Sequence, residues 1–75
     1  MGDFKFEVVK HLAELSRNKN TSKELNLVSF NGDEPKYDLR NWQNPDSEDA
    51  RMLKGITLTK DELIKLRDAL NEIEV

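Results

Sequence analysis

Two aromatic and two cationic side chains lie close together in the sequence, and their chemistry is that of binding. Phe30 ends one run of alternating apolar and polar residues. In the next run, 36–42, Lys36, Arg40 and Trp42 occupy alternate positions and so share one side of a strand. An exposed ring stacks on an unpaired base for about 1–3 kcal/mol, while neighbouring cations neutralise phosphates. These residue types at this spacing therefore indicate a surface for single-stranded nucleic acid.

The composition offers little that could do catalysis. The absence of cysteine excludes disulfides, thiolate nucleophiles and zinc–thiolate sites. The single histidine, His11, has no serine or carboxylate at a catalytic spacing, and it does not make a histidine-rich metal site. The acids Asp46, Glu48 and Asp49 are typical of a solvated loop. We therefore expect no enzyme, no cofactor, no metal site and no small-molecule substrate.

The net charge of −3 does not by itself favour a nucleic-acid partner, but its distribution matters more than its sum. Residues 1–43 carry equal numbers of acids and bases, and the acidic excess lies in 44–54 and 60–75. No run is apolar and long enough to span a bilayer, and the N-terminus does not resemble a secretory signal. We expect one cytoplasmic domain, 1–75, with no membrane partner.

The C-terminal segment predicts a helix over residues 60–73. Thr59 and Glu62 have the spacing of a capping box, in which each residue satisfies a backbone N–H of the other. The apolar residues that follow are spaced for one stripe of a helix, and they are Leu63, Leu66, Leu70 and Ile73.

Alternating patterns predict strands in the rest of the chain. The first alternation begins at Phe4 and breaks at Val8–Val9 and at Leu12–Ala13, which predicts bulges and a curved strand. A polar connection at 17–21 leads to the second strand, and Asn31–Gly32 favours a turn with positive φ.

The third predicted strand is 36–42, a polar loop covers 43–53, and a short fourth strand, 54–58, runs into the helix cap. The predicted fold class is α+β, with a four-stranded curved antiparallel sheet followed by one C-terminal helix (ββββα).

One helix covers only one face of such a sheet. The apolar face should pack under the helix stripe as the core, and it consists of Phe4, Phe6, Val8, Leu25, Leu27, Tyr37, Leu39, Ile56 and Leu58. The opposite face should stay uncovered, and it carries Lys5, Glu7, Val9, His11, Glu24, Asn26, Val28, Phe30, Lys36, Asp38, Arg40, Trp42, Gly55 and Thr57.

Each residue of the uncovered face also has an ordinary structural interpretation. Trp42 and Phe30 could form a second small core, and Arg40 could pair with Asp38. Lys36 could simply be solvated. The small size of the chain and its lack of disulfides favour a homodimer, with part of the helix stripe between subunits.

At residues 36–42 (KYDLRNW) and 53–59 (LKGITLT) the chain resembles the transcriptional coactivator p15 (positive cofactor four) family, and more closely its bacterial YdbC-like branch. Residues 24–32 (ELNLVSFNG) are similar to the second strand and turn of that branch, and the resemblance extends over about residues 4–73.

The resemblance implies a homodimer that binds single-stranded DNA with little sequence preference, in transcription, replication or repair. By matching position it implies DNA contacts at Phe30, Arg40 and Lys54. It makes Trp42 a second stacking surface, and it makes Lys36 and Lys23 weaker candidates. The 43–53 loop is less basic than in the eukaryotic members, and the chain has no serine-rich acidic tail before the first strand.

A protein-interaction module is the alternative, because aromatic side chains beside arginine are also typical of interface hot spots. Nothing in the sequence would read a 2′-hydroxyl group, so it leaves open whether the strand is DNA or RNA.

Overall fold

A computed structural model describes residues 5–74 as four strands and one helix. The elements are β1 (Phe6–Arg17), β2 (Thr21–Phe30), β3 (Lys36–Gln43), β4 (Arg51–Leu58) and α1 (Lys60–Glu72). The strands form one antiparallel sheet in the order β1-β2-β3-β4. The predicted ββββα fold is confirmed. β4 begins at Arg51 rather than at residue 54, and Phe4 lies outside the described residues.

The edge strand β1 contains the predicted bulges. Its pairing with β2 shifts register between Val8 and Lys10 and again between His11 and Ala13, where the alternation breaks in the sequence. A third shift lies between Glu14 and Ser16, and the sequence pattern did not indicate it. Each bulge bends the strand and increases its twist, so β1 curves along its length.

The turn between β2 and β3 has the backbone conformation that its sequence predicts. Asn31 and Gly32 both have positive φ, at 52° and 80°. Asn31 also receives a hydrogen bond on its side-chain Oδ1 from the backbone N–H of Lys5. Asparagine and glycine tolerate this conformation better than other residues, which is why the chain reverses here.

The register places the side chains of β1 differently from the prediction. Phe6 is opposite Phe30 and Val8 is opposite Val28, so these β1 side chains lie on the face of Phe30 and not with Leu25 and Leu27. Periodicity gives the alternation of a strand but not its phase relative to its neighbour, and the prediction for Phe6 and Val8 was wrong for that reason.

We call this side of the sheet the grooved face. It comprises Phe6, Val8, His11, Glu14, Arg17, Ser22, Glu24, Asn26, Val28, Phe30, Lys36, Asp38, Arg40, Trp42, Met52, Gly55 and Thr57. The opposite side, the apolar face, carries Leu25, Leu27, Tyr37, Leu39, Ile56 and Leu58, as predicted.

The core lies on the grooved face, and the prediction of a core beneath the helix was wrong. The most buried residues of the described chain all lie on the grooved face, and they are Ser22, Asn26, Val28, Asp38 and Trp42. On the apolar face Ile56 is 56% exposed, and the other members are half-buried. The curved sheet covers its own grooved face, while the apolar face remains largely uncovered.

Helix α1 has the predicted cap but does not cover the sheet. Thr59 Oγ1 accepts from the N–H of Glu62, and Glu62 Oε1 accepts from the N–H of Thr59. Only Thr59 separates β4 from α1, so no loop is available to fold the helix back across the sheet. Its contacts to the described sheet are sparse and involve β3 and β4, and Leu66, Leu70 and Ile73 stay exposed.

No helix in the described part of the chain has the length and apolar character needed to cross a lipid bilayer.

Gly55 is needed because of its position opposite Arg40. A Cβ on Gly55 would lie 1.9 Å from Arg40 Cβ and 2.6 Å from the Leu39 carbonyl oxygen, and neither atom is the end of a flexible side chain. We expect Gly55→Ala to lower the free energy of unfolding by about 3 kcal/mol, measured by urea denaturation.

Gly32→Ala is the matched control for this change. Gly32 has positive φ but nothing near its missing Cβ, so alanine there should cost only about 1 kcal/mol through backbone strain. Equal losses at the two glycines would contradict the steric role of Gly55.

Candidate nucleic-acid interface

A groove of about 520 Å³ lies on the grooved face, between β1 and the segment 44–50 that joins β3 to β4. Its walls come from β1 on one side and from Pro45, Asp46, Glu48 and Ala50 on the other. β2 and the end of β3 form the floor between these walls, with Glu24, Asn26 and Trp42. The groove exists because the bulged edge strand curves over the sheet.

The strand register brings four of the six predicted binding residues onto this face. Phe30 lies on β2, and Lys36, Arg40 and Trp42 follow one another at alternate positions of β3. Lys36 is exposed, and Phe30 is half-buried. The guanidinium carbon of Arg40 lies 5.9 Å from the centre of the Phe30 ring, within the range of a cation–π contact.

Arg40 pairs with Asp38, which was the alternative that the sequence left open. Arg40 Nε and Nη2 donate to the two carboxylate oxygens of Asp38, and Nη1 donates to the carbonyl of Leu53 at 3.1 Å. The Asp38 side chain is 0% exposed and that of Arg40 is 15% exposed. The charge of Arg40 is therefore largely balanced by Asp38, and the pair orients the guanidinium over Phe30.

Trp42 is buried, and the expectation that it would be exposed was wrong. It is 5% exposed, and its ring centre lies 5.6 Å from that of Phe6 at an angle of 58°. The indole Nε1 is buried and has no hydrogen-bond acceptor among the described residues. Such an unpaired donor costs about 1–3 kcal/mol, which favours any rearrangement that brings an oxygen atom to it.

The two remaining lysines do not lie with these four residues. Lys23 is opposite Ser16 and Asn41, on the side of the sheet that carries Leu25 and Leu27. Lys54 is exposed in the irregular part of β4, next to the Leu53 carbonyl that receives the Arg40 hydrogen bond. The structure thus separates Lys23 from the grooved face and leaves Lys54 beside the Arg40 site.

A row of hydrogen-bonded polar side chains crosses the groove floor. Ser22 Oγ donates to Glu24 Oε2 at 2.5 Å, and Asn26 Nδ2 donates to Glu24 Oε1 at 3.3 Å. His11 Nδ1 lies 2.7 Å from Asn26 Oδ1 and 3.5 Å from Glu24 Oε1. These contacts satisfy polar groups that the curved sheet buries, so the groove is polar along its floor.

One end of the groove is closed by an ion-pair cluster that sequence reasoning did not single out. Arg17 binds Glu14 on its own strand and Asp46 in the 44–50 segment. The hydrogen bond to Glu14, with further contributions from the charges of Asp46 and Glu14, raises the pKa of Arg17. No sequence signal links Arg17 to Asp46, because they are distant in the chain and meet only through the curl of the sheet.

The groove and its surroundings differ in charge. Four carboxylates and one guanidinium line the groove together with His11, and the carboxylates are Glu14, Glu24, Asp46 and Glu48. Lys36 and Lys54 lie outside it, and neither makes an ion pair with a described carboxylate. Within residues 5–74 no group of three or more histidine and acidic side chains is placed to hold a metal ion.

Comparison with known proteins identifies the family. The profile of the Transcriptional Coactivator p15 (PC4) family matches residues 17–69, from the end of β1 through most of α1. The chain belongs to the Transcriptional Coactivator p15 (PC4) family. Membership in the p15 (PC4) family supports a general role of the p15 kind, in binding single-stranded DNA.

The similarity to a bacterial relative extends over nearly the whole chain. A protein of Treponema pallidum (strain Nichols), named only as an uncharacterized protein, is 43% identical over 74 residues. The similarity covers 97% of this p15 (PC4) chain and 84% of the relative.

The buried ion pair of Arg40 and Asp38 leads to a prediction about stability. Arg40→Met would leave the Asp38 carboxylate buried without its partner, so we expect the free energy of unfolding to fall by about 3–5 kcal/mol in urea denaturation.

Arg67→Met provides the comparison, since Arg67 pairs with Asp68 where both side chains are mostly exposed, and its loss should cost less than about 1 kcal/mol. Replacing Asp38 and Arg40 together by apolar residues should recover much of the stability. If the single and double variants were equally unstable, the burial of an unpaired charge would not be the cause.

Proposed function

We propose that this protein binds single-stranded DNA with little sequence preference, as a homodimer and without enzymatic activity, in transcription, replication or repair. The observation that carries the proposal is the register that brings Phe30, Lys36, Arg40 and Trp42 onto one grooved face, in a chain of the p15 (PC4) family. An unpaired strand offers the base faces and phosphates that such side chains bind, whereas duplex bases are already stacked.

The rim of the face supplies the phosphate contacts in this proposal. Lys36 and Lys54 are exposed and make no ion pair with a described carboxylate, so a phosphate can reach them without displacing a partner. Arg40 contributes through the Phe30 ring that it holds, because Asp38 balances its charge. Lys23 is the weakest candidate, since it lies on the other side of the sheet.

Base stacking divides between the two aromatic residues. Phe30 is half-buried and is the better placed of the two to meet a base. Trp42 lies buried between the groove walls, so a base meets little of its ring unless Phe6 or the 44–50 segment moves. The cytoplasmic location stays a prediction, and the sequence leaves the choice between DNA and RNA open.

The second subunit is proposed from the surface that one chain leaves uncovered. The exposed apolar side chains of α1 and of β4 lie next to each other in the chain, and they include Ile56, Leu66, Leu70 and Ile73. Exposed apolar side chains on consecutive elements are typical of an interaction site, and a second copy offers the same side chains in return. A dimer would thus cover the apolar face that α1 leaves open.

Binding is tested with labelled oligo-dT and a duplex of the same length at several salt concentrations. We expect preference for the single strand, with log affinity falling against log salt by about 0.7 for each phosphate contacted and about four to six contacts per dimer. Lys36→Ala should reduce that slope, because an exposed cation of the grooved face is lost.

Lys23→Ala is the matched control, since it removes the same charge from the other side of the sheet and should leave the slope nearly unchanged. No preference for the single strand at low salt would refute the proposal and favour the protein-interaction module.

The homodimer is tested by light scattering. The wild type should have twice the 8.7 kDa chain mass, and Leu66→Glu should shift it to one chain mass, because a charge in the apolar stripe opposes association. Asn71→Glu adds the same charge away from the stripe and should remain dimeric. A wild-type protein of one chain mass would refute the homodimer.

A further inference from the structure

Arg17 lies on the grooved face in the same cross-strand row as Trp42. It pairs with Ser22 on β2, and Ser22 pairs with Trp42 on β3. Two strand spacings, about 10 Å, therefore separate the backbones of Arg17 and Trp42 across the groove. Arg17 is the one guanidinium among the described residues that line the groove.

The guanidinium of Arg17 binds two carboxylates that come from different parts of the chain. Glu14 lies on the same strand and accepts from Nε at 2.8 Å and from Nη2 at 2.6 Å. Asp46 comes from the 44–50 segment and accepts from Nη1 at 2.7 Å. Glu14 thus orients the guanidinium, and Asp46 occupies the edge that faces the other groove wall.

The contact to Asp46 is at the surface and is easily exchanged. The Asp46 side chain is 83% exposed and that of Arg17 is 39% exposed, and ion pairs in such positions add little to stability. The segment has anchors of its own. Asn44 donates its N–H to the carbonyl of Asn20 at 2.7 Å, and Ser47 and Ala50 continue the turn through their backbone hydrogen bonds.

A phosphate is the natural competitor for this position. Arginine binds carboxylates and phosphates with the same planar arrangement of N–H donors. Glu14, Glu24, Asp46 and Glu48 make the free groove negative, so a phosphate entering it is repelled unless one of these carboxylates gives way. Asp46 is the one of these four that pairs with Arg17 from outside β1, so its side chain can turn away while Glu14 still holds Arg17.

We propose that Arg17 is a phosphate-binding residue of the groove and that Asp46 takes the place of the phosphate in the free protein. Asp46 then acts as an acidic gate, because the nucleic-acid strand displaces its exposed side chain from Arg17 as it binds. This inference rests on the proposed function. It adds Arg17 to the residues that bind the strand and makes the Arg17–Asp46 contact an inhibitory one. This contact lowers the affinity of Arg17 for an isolated phosphate. Only a ligand that also contacts other residues of the grooved face can offset the loss of the Arg17–Asp46 ion pair.

The test compares two neutralised carboxylates of the same segment in oligo-dT titrations at one salt concentration. Asp46→Asn frees Nη1 of Arg17, whereas Asp49→Asn removes the same charge from a residue that makes no ion pair with Arg17. We expect Asp46→Asn to raise the affinity about two- to fivefold more than Asp49→Asn does. Arg17→Gln should lower the affinity, and adding Asp46→Asn to it should have no more effect than Asp49→Asn.

Two outcomes would overturn the inference. Equal gains from the two asparagine variants would mean that only the overall charge of the segment matters. A gain in affinity from Arg17→Gln would mean that the bridge blocks the groove and that Arg17 binds no phosphate.

A second measurement keeps the inference separate from the proposed function. The Nε–H signal of Arg17 is followed by NMR while inorganic pyrophosphate is added to the wild type, to Asp46→Asn and to Asp49→Asn. A shift that is larger in Asp46→Asn than in both others supports the gate even if oligo-dT does not bind. An unmoved signal in Asp46→Asn would refute Arg17 as a phosphate ligand, whatever the DNA titration shows.

Discussion

Arg40 is held on the grooved face by a carboxylate that has no access to solvent, and the arrangement around it follows from that pairing. Burying the Asp38 carboxylate alone would be costly, so the guanidinium of Arg40 must stay within hydrogen-bonding distance. Gly55, which has no side chain, leaves the space that Arg40 needs on the neighbouring strand. The same guanidinium then lies over Phe30 and reaches the carbonyl of Leu53. The buried ion pair thus holds the guanidinium against the Phe30 ring and against the backbone of the irregular part of β4.

The second constraint is that a four-stranded sheet has two faces and this chain covers only one of them. Curvature from the bulges of β1 encloses the grooved face, where Val28 and Trp42 are buried. One residue separates β4 from the helix, which leaves Leu66, Leu70 and Ile73 of its apolar stripe exposed, together with Ile56. A chain of 75 residues that places its small core on one side and its apolar surface on the other is suited to association.

These two constraints give the groove its mixed character. Its floor combines a row of hydrogen-bonded polar groups with Nε1 of Trp42, which has no acceptor among the described residues. Its walls carry more carboxylates than cations, and exposed lysines lie outside it. Binding of a polyanion to such a face depends on which carboxylates already have partners and which can move. The Arg17–Asp46 pair is notable in this respect because it joins two segments across the groove and is exposed to solvent.

The sequence alone determined the order of the elements and most of their local features. The capping box of Thr59 and Glu62, the Asn31–Gly32 turn and two bulges of β1 were readable because each depends on neighbouring residues. Alternation also grouped Phe30 with Lys36, Arg40 and Trp42, since a strand sends every second side chain to one face.

Only the tertiary structure decided which groups are exposed and which meet. Trp42 is buried because Phe6 lies against it, and the phase of β1 is set by its pairing with β2 and not by its own periodicity. Arg17 and Asp46 meet because the sheet curls, and no local pattern encodes a contact between residues so far apart in the chain. Burial and ion pairing are properties of distant segments brought together, so they follow from packing rather than from sequence spacing.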